Sequence, residues 1–151
     1  MNPGPFTTPQ MATILELPMR KVLSFIERGF ISPSIQEASG HGSRRLWSYE
    51  DLIRCAAVKF LLNALSVDFM RVLSEHLRSD HWFKLDKAWG IDLSSPAATV
   101  AGIPSVILLD KAGDLYNTKW KDGPPPTGLI VDFRSICACV KERLSHVRLD
   151  E

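Results

Sequence analysis

The chain has 151 residues, of which 45% are hydrophobic and 23% are charged, and its formal net charge is +1. This composition is ordinary for a globular protein of one domain or two small ones, and only local clusters of charge can indicate a nucleic-acid or membrane partner. No apolar run approaches the about 20 residues that cross a bilayer, and the N-terminus lacks the pattern of a secretory signal, so no membrane partner is predicted. Three cysteines cannot all pair with one another, which favours a reducing cytoplasm.

Two short helices with a tight turn between them are predicted first. Thr8 is the expected N-cap of the first helix, with Pro9 at its first position. Pro18 ends that helix and opens the second one, whose apolar positions recur at helical spacing until Gly29. The order is that of a helix-turn-helix.

A loose β-hairpin is predicted next, over residues 35–47, because Gly40 and Gly42 permit a turn at its middle. A third helix begins after Ser48, where Asp51 takes the place of the Glu or Gln of a capping box. Ser66 is the expected cap of a fourth helix.

The composition changes near residue 80, which predicts a boundary between residues 1–79 and residues 80–151. Residues 80–89 offer at most a short helix ended by Gly90, and strands are predicted over 105–109, 115–120 and 128–133, with a turn over 110–114. A final helix is predicted over 134–147. We expect this small antiparallel sheet and helix to pack on the first domain or to pair with a second copy, so the predicted fold class is α+β.

Four stretches of the first half carry a family pattern: residues 6–15, FIERGFISP at the end of the second helix, SRRLWSYEDL and LSVDFMRVLSEHL. With them, residues 6–79 resemble the N-terminal domain of the MerR family of bacterial transcription regulators. The resemblance covers about half of the chain and rests on the order and spacing of these stretches together. It implies a winged helix-turn-helix of four helices and a β-hairpin wing, with double-stranded DNA as the partner.

The candidate DNA-binding residues lie on the second helix, on the wing and on the third helix: Arg20, Lys21, Ser24, His41, Arg44, Arg45, Tyr49 and Arg54. The second helix of a helix-turn-helix places its N-terminal residues at the base edges, which favours Arg20 and Lys21 for that role. Cationic wing side chains gain from the negative potential of the backbone and minor groove. One of the two wing arginines is expected to face away from the DNA, because alternate residues of a strand point to opposite sides.

Three features depart from the family pattern. Glu16 stands where glycine is common in the turn, and Leu23 replaces an arginine that is usual in the second helix. No long helix follows residue 79, although typical family members continue into an antiparallel coiled coil.

The sequence offers no nucleophile–base pair, phosphate loop or carboxylate pair for catalysis, so the chain is not predicted to be an enzyme. Cys137 and Cys139 are two apart on a predicted helix and cannot readily chelate one metal, and no cofactor is predicted. The sequence therefore predicts a MerR-like transcriptional regulator that binds DNA as a homodimer, with RNA polymerase as a further contact and an unassigned effector. An architectural, excisionase-like DNA-binding protein and a protein-binding adaptor with a winged fold remain alternatives.

Overall fold

The computed structural model describes residues 3–93, 105–110 and 128–148. Within them, five helices and two small antiparallel sheets give a mixed α+β architecture, as the sequence predicts. The predicted strand over 115–120 and most of the turn over 110–114 lie outside the described residues.

A two-stranded sheet and two helices open the chain. Strand β1 (Phe6–Thr7) leads into helix α1 (Thr8–Ile14), and helix α2 (Met19–Glu27) follows after a four-residue turn. The N-cap of α1 is Thr7 rather than the predicted Thr8, because Thr7 and Gln10 form a reciprocal capping box. Pro18 precedes α2 as predicted, and Gly29 has a φ of 73° just after it.

The predicted hairpin is less regular than a wing of two strands. Gln36 and Leu46 form one isolated antiparallel bridge, and strand β2 (Leu46–Trp47) pairs instead with β1. The indole of Trp47 is fully buried and donates a hydrogen bond to Thr8 Oγ1 at 3.0 Å. The base of the loop is thus anchored to the start of α1.

Two longer helices follow. Helix α3 (Tyr49–Ala64) begins with the predicted capping box of Ser48 and Asp51, and helix α4 (Val67–Arg78) begins after the predicted cap Ser66. Within the described residues, no helix is long and apolar enough to cross a membrane.

The second sheet has three strands in the order β4, β3, β5: β3 (Ala88–Asp92), β4 (Ser105–Leu109) and β5 (Gly128–Asp132). The predicted short helix over 80–89 is wrong, because this stretch forms turns and then enters β3. Gly90 lies in the middle of that strand, paired with Ile107 and Ile130, and does not end a helix. The last helix, α5 (Phe133–His146), lies where the sequence predicts it.

The second half packs on the first half through a continuous core. Helix α5 contacts α3 and α1, and Phe133 at its start packs edge-to-face on Phe83 and Trp89 at 5.1 Å between ring centroids. Buried side chains from Phe6 to Val140 belong to one cluster. The boundary near residue 79 stays a prediction, and the structure adds that the two halves share this core.

Candidate nucleic-acid interface

The exposed side of α2 carries cations at an uncapped helix start. Val22 and Phe25 are buried against the core, whereas Arg20 and Lys21 in the first turn are exposed. Pro18 supplies no side-chain cap, and no acidic residue lies in the first turn. Positive charge near a helix N-terminus is unfavourable for the helix itself, so these two cations do not serve the stability of α2.

Neither cation has an ion-pair partner in the part of the chain that the structure describes. The ion pairs among the described residues include neither Arg20 nor Lys21. Ser24, one turn further along α2, is half-buried. Arg20 and Lys21 thus present two positive charges to solvent, and exposed cations of this kind can neutralise the phosphates of an anionic polymer.

Residues 36–46 form a loop whose shape depends on glycine. Gly40 and Gly42 have φ values of 82° and 85°, which side chains rarely adopt. Ser43 closes the turn between them by accepting a hydrogen bond from Ser39 N at 2.6 Å and donating one to Gly40 O at 3.1 Å. His41 is exposed at this tip.

The two arginines of this loop differ in their surroundings. Arg45 Nε lies 2.6 Å from Glu37 Oε1 across the loop, and its side chain is 30% exposed. Arg44 is exposed and forms no ion pair among the described residues. Both arginines precede strand β2, so the alternation expected of a strand does not apply to them, and the difference between them is the ion pair of Arg45.

A groove of about 490 Å³ separates the loop from α2. Arg44 and Arg45 line one side, Met19 and Leu23 line the other, and the start of α1 forms its floor. Arg20, Lys21, Ser24 and His41 are not among its lining residues. The fold thus brings the loop arginines next to the exposed face of α2.

Two predicted site residues lie elsewhere. Tyr49 is only 4% exposed, and its hydroxyl makes no hydrogen bond to a described residue by distance and angle. Burial, followed by the neighbouring Cys137 thiol of α5, raises the pKa of Tyr49 to about 12. This residue belongs to the contact between α3 and α5, which separates it from any exposed binding surface.

Arg54 is also held within the fold. Its Nε donates to Leu77 O at 2.7 Å, and its guanidinium lies 4.3 Å from the centroid of the Phe83 ring. It also pairs with Asp51 at 3.2 Å, and its side chain is only 13% exposed. Arg54 therefore fastens α3 to α4 and to the turn that follows.

Asp51 is the centre of a buried polar network. Its Oδ2 accepts hydrogen bonds from Ser34 N, Ser34 Oγ and Ser48 N at 2.7–2.9 Å, while Oδ1 faces Arg54. The shorter carboxylate at the capping-box position thus also holds the exit from α2. Sequence patterns predicted the cap but not the bond to Ser34, which lies 17 residues away.

The turn between α1 and α2 is held by cations from α3 and α5. Glu16 adopts a φ of 53°, and its carboxylate pairs with Arg143 of α5 at 3.2 Å. Arg143 also donates to Ile14 O at 3.4 Å, and Lys59 of α3 donates to Leu15 O at 2.8 Å. Sequence reasoning missed both cations, because nothing local to the turn indicates partners 44 and 129 residues distant.

No group of three or more metal-ligating side chains occurs in the described part of the chain.

No family model matches the sequence. Among curated proteins, matches at 34% identity over 71 residues are uncharacterized HTH-type transcriptional regulators, one from Mycobacterium bovis and two from strains of Mycobacterium tuberculosis. Over 46% of its length the chain is similar to HTH-type transcriptional regulators. It covers 32% of each relative, about a third of their length.

Proposed function

We propose that the chain is a sequence-specific, duplex-DNA-binding transcriptional regulator of MerR-like type. The observation that carries the proposal is the exposure of Arg20 and Lys21 at the start of α2, with Arg44 on the neighbouring loop. None of the three has an ion-pair partner among the described residues. In this proposal α1 and α2 are the helix-turn-helix, and residues 36–46 are the wing. The similarity to HTH-type regulators supports it.

Helix α2 is the proposed recognition helix. Its buried residues Val22 and Phe25 fix it on the core, so that its opposite side is free to enter a major groove. Arg20 is the proposed base-reading residue, because arginine forms a bidentate pair with guanine, and Lys21 is the proposed phosphate contact. Ser24 is a further contact if the helix lies deep in the groove.

Arg44 and His41 are the proposed backbone contacts of the wing. We leave Tyr49 and Arg54 out of the proposed surface, because both side chains are engaged inside the fold. Arg45 shapes the wing through Glu37.

A single module covers only a few base pairs, so the proposed binding unit is a homodimer on a two-fold site. The chain turns into β3 soon after α4 ends at Arg78, which leaves no coiled-coil helix there. The dimer would therefore use another surface, and RNA polymerase is a proposed contact of the DNA-bound form.

The test is selection of bound sites from random duplex DNA, followed by affinity measurements over a salt series. We expect an enriched two-fold site and a steep loss of affinity as salt rises. Arg20→Ala should cost about 1–3 kcal/mol at particular base pairs, whereas Lys21→Ala should weaken all duplexes alike. Lys141→Ala, which removes an exposed cation on α5, is the matched control and should leave binding unchanged. Absence of duplex binding at low salt would refute the proposal.

A protein-binding adaptor is the second candidate, and one observation favours it. Met19 and Leu23, the apolar residues beside the groove, are 39% and 38% exposed on α2. An apolar pair of this kind suits a protein partner better than a phosphate backbone. Salt-independent binding to a protein, without duplex binding, would select this function. DNA bending on a bound fragment would instead indicate the architectural, excisionase-like role.

A further inference from the structure

A second groove lies away from the proposed DNA surface, between α3, α5 and β5. Its volume is about 470 Å³, within the range of small-molecule sites, and its lining is mostly apolar. Ala56 and Phe60 of α3 face Ile136 and Val140 of α5 across it. Phe60 is 43% exposed, a large apolar ring left uncovered at the rim.

Two cations lie at the end of the groove nearest the turn of α1. Lys59 and Arg143 both line it, and both are only partly exposed. The acidic residue of the lining, Asp132, is the N-cap of α5 and already accepts hydrogen bonds from Arg134 N and Ser135 Oγ. The groove therefore combines apolar walls with a net positive end.

We propose that this groove binds a small amphipathic monocarboxylate, such as a medium-chain fatty acid. The alkyl chain would lie along Ala56, Phe60 and Ile136, and the carboxylate would pair with Lys59 and Arg143. Both cations keep hydrogen-bond donors that suit a carboxylate. An open, concave groove with charge at one end fits this ligand better than the flat face of a second copy.

Binding would act on the helix-turn-helix, because the same two cations hold its turn. Lys59 donates to Leu15 O, and Arg143 pairs with Glu16. A ligand carboxylate competes for these donors and loosens residues 14–17. The consequence for DNA affinity rests on the proposed function, whereas ligand binding itself does not.

The experiment uses the full chain and decanoate as the probe, with decanol as the uncharged control of equal chain length. Cys139 lines the groove and is exposed, which makes its alkylation by iodoacetamide a local reporter. Burial raises the pKa of Cys55 to about 12 and also raises that of Cys137, so those thiols are slower internal references. Peptide mass spectrometry separates the three rates, and titration calorimetry gives the affinity.

We expect decanoate to slow alkylation of Cys139 selectively and decanol to do so only weakly. Arg143→Gln and Lys59→Gln should each weaken decanoate binding about tenfold, the effect of losing one charged hydrogen bond. Lys141→Gln should leave it unchanged, and circular dichroism checks that each variant is folded.

Equal protection by decanol, or none by decanoate, would overturn the proposal. So would protection that depends on protein concentration alone, which would identify a second copy as the occupant. None of these readouts involves DNA, so a negative result here is separate from failure of the proposed function.

Discussion

Arg45 and Glu37 form a close ion pair across the loop, with 2.6 Å between Nε and Oε1, and this pair assigns different roles to two adjacent arginines. The Arg45 guanidinium is held against its own loop. The Arg44 side chain is exposed and has no ion-pair partner among the described residues, so it is the one available to a phosphate.

Arg44→Ala is therefore expected to weaken binding to all duplexes by a similar factor and to lower the salt slope by about 1. Arg45→Ala is the matched control and should have a smaller effect on the slope, because its charge is already compensated. Fluorescence anisotropy over a salt series measures both. A larger change in slope for Arg45→Ala would contradict this assignment.

Tyr49→Phe is expected to leave duplex affinity unchanged. The hydroxyl is buried, and its neighbour is the Cys137 thiol, a weak hydrogen-bonding group, so its removal should change the free energy of unfolding by no more than about 1 kcal/mol. Duplex titration measures the affinity, and urea denaturation measures the free energy of unfolding. Weaker duplex binding by a fully folded variant would restore Tyr49 to the interface.

Asp51→Ala is expected to destabilise the fold by about 2–4 kcal/mol. The substitution leaves the Ser34 and Ser48 donors unsatisfied and removes the nearer of the two carboxylates paired with Arg54, whose side chain is only 13% exposed. Urea denaturation provides the measurement. Asp68→Ala removes a carboxylate that is 87% exposed at the start of α4 and should change stability little. Equal losses for the two variants would show that the network around Asp51 contributes nothing.

Local chemistry determined most helix starts, and these were predictable from the sequence. Pro18, the Ser48 and Asp51 box, and Ser66 mark starts that the structure confirms. The exception is α1, where Thr7 and Thr8 are adjacent and both suit an N-cap. Only the reciprocal bond to Gln10 distinguishes them.

Strand β3 escaped prediction because its partners are distant in sequence. A short apolar run with one glycine is as compatible with the end of a helix as with a strand. Its identity as a strand depends on pairing with β4 and β5, as in Ala88 with Leu109 and Asp132. The burial of Tyr49 was not predicted for the same reason, because the helix that covers it, α5, is distant in sequence and packs on α3.

At the candidate site, the sequence did not predict which of the two loop arginines is held in an ion pair. Glu37 lies on the opposite side of the loop from Arg45, so a search for oppositely charged residues facing each other across the predicted hairpin would have found this pair. No comparable signal exists for Arg143 and Glu16, because their contact depends on how α5 packs.

Alkaline pH is expected to destabilise the protein through Cys55. Burial raises the pKa of this thiol to about 12, and the nearby Lys59 charge offsets only part of the shift. The folded state therefore holds the proton more tightly than the unfolded chain, whose thiol titrates near about 8.5. The resulting contribution to stability is fully present below that pH and is lost as pH rises toward 12. Urea denaturation at several alkaline pH values should show a shallower decline for Cys55→Ala.

Glu16 gives the last test, because its backbone conformation lowers the stability of the fold whereas its side-chain ion pair raises it. A φ of 53° is strained for any residue with a Cβ, whereas the pair with Arg143 is largely exposed and contributes little. Glu16→Gly should therefore be about 1 kcal/mol more stable than Glu16→Ala, since both remove the ion pair and only glycine relieves the strain. At Glu27, the last residue of α2, the same pair of substitutions should reverse in order, because glycine is less favourable than alanine in a helix. Denaturation of the four variants gives both differences, and a Glu16 pair ordered like the Glu27 pair would show that the turn is not strained.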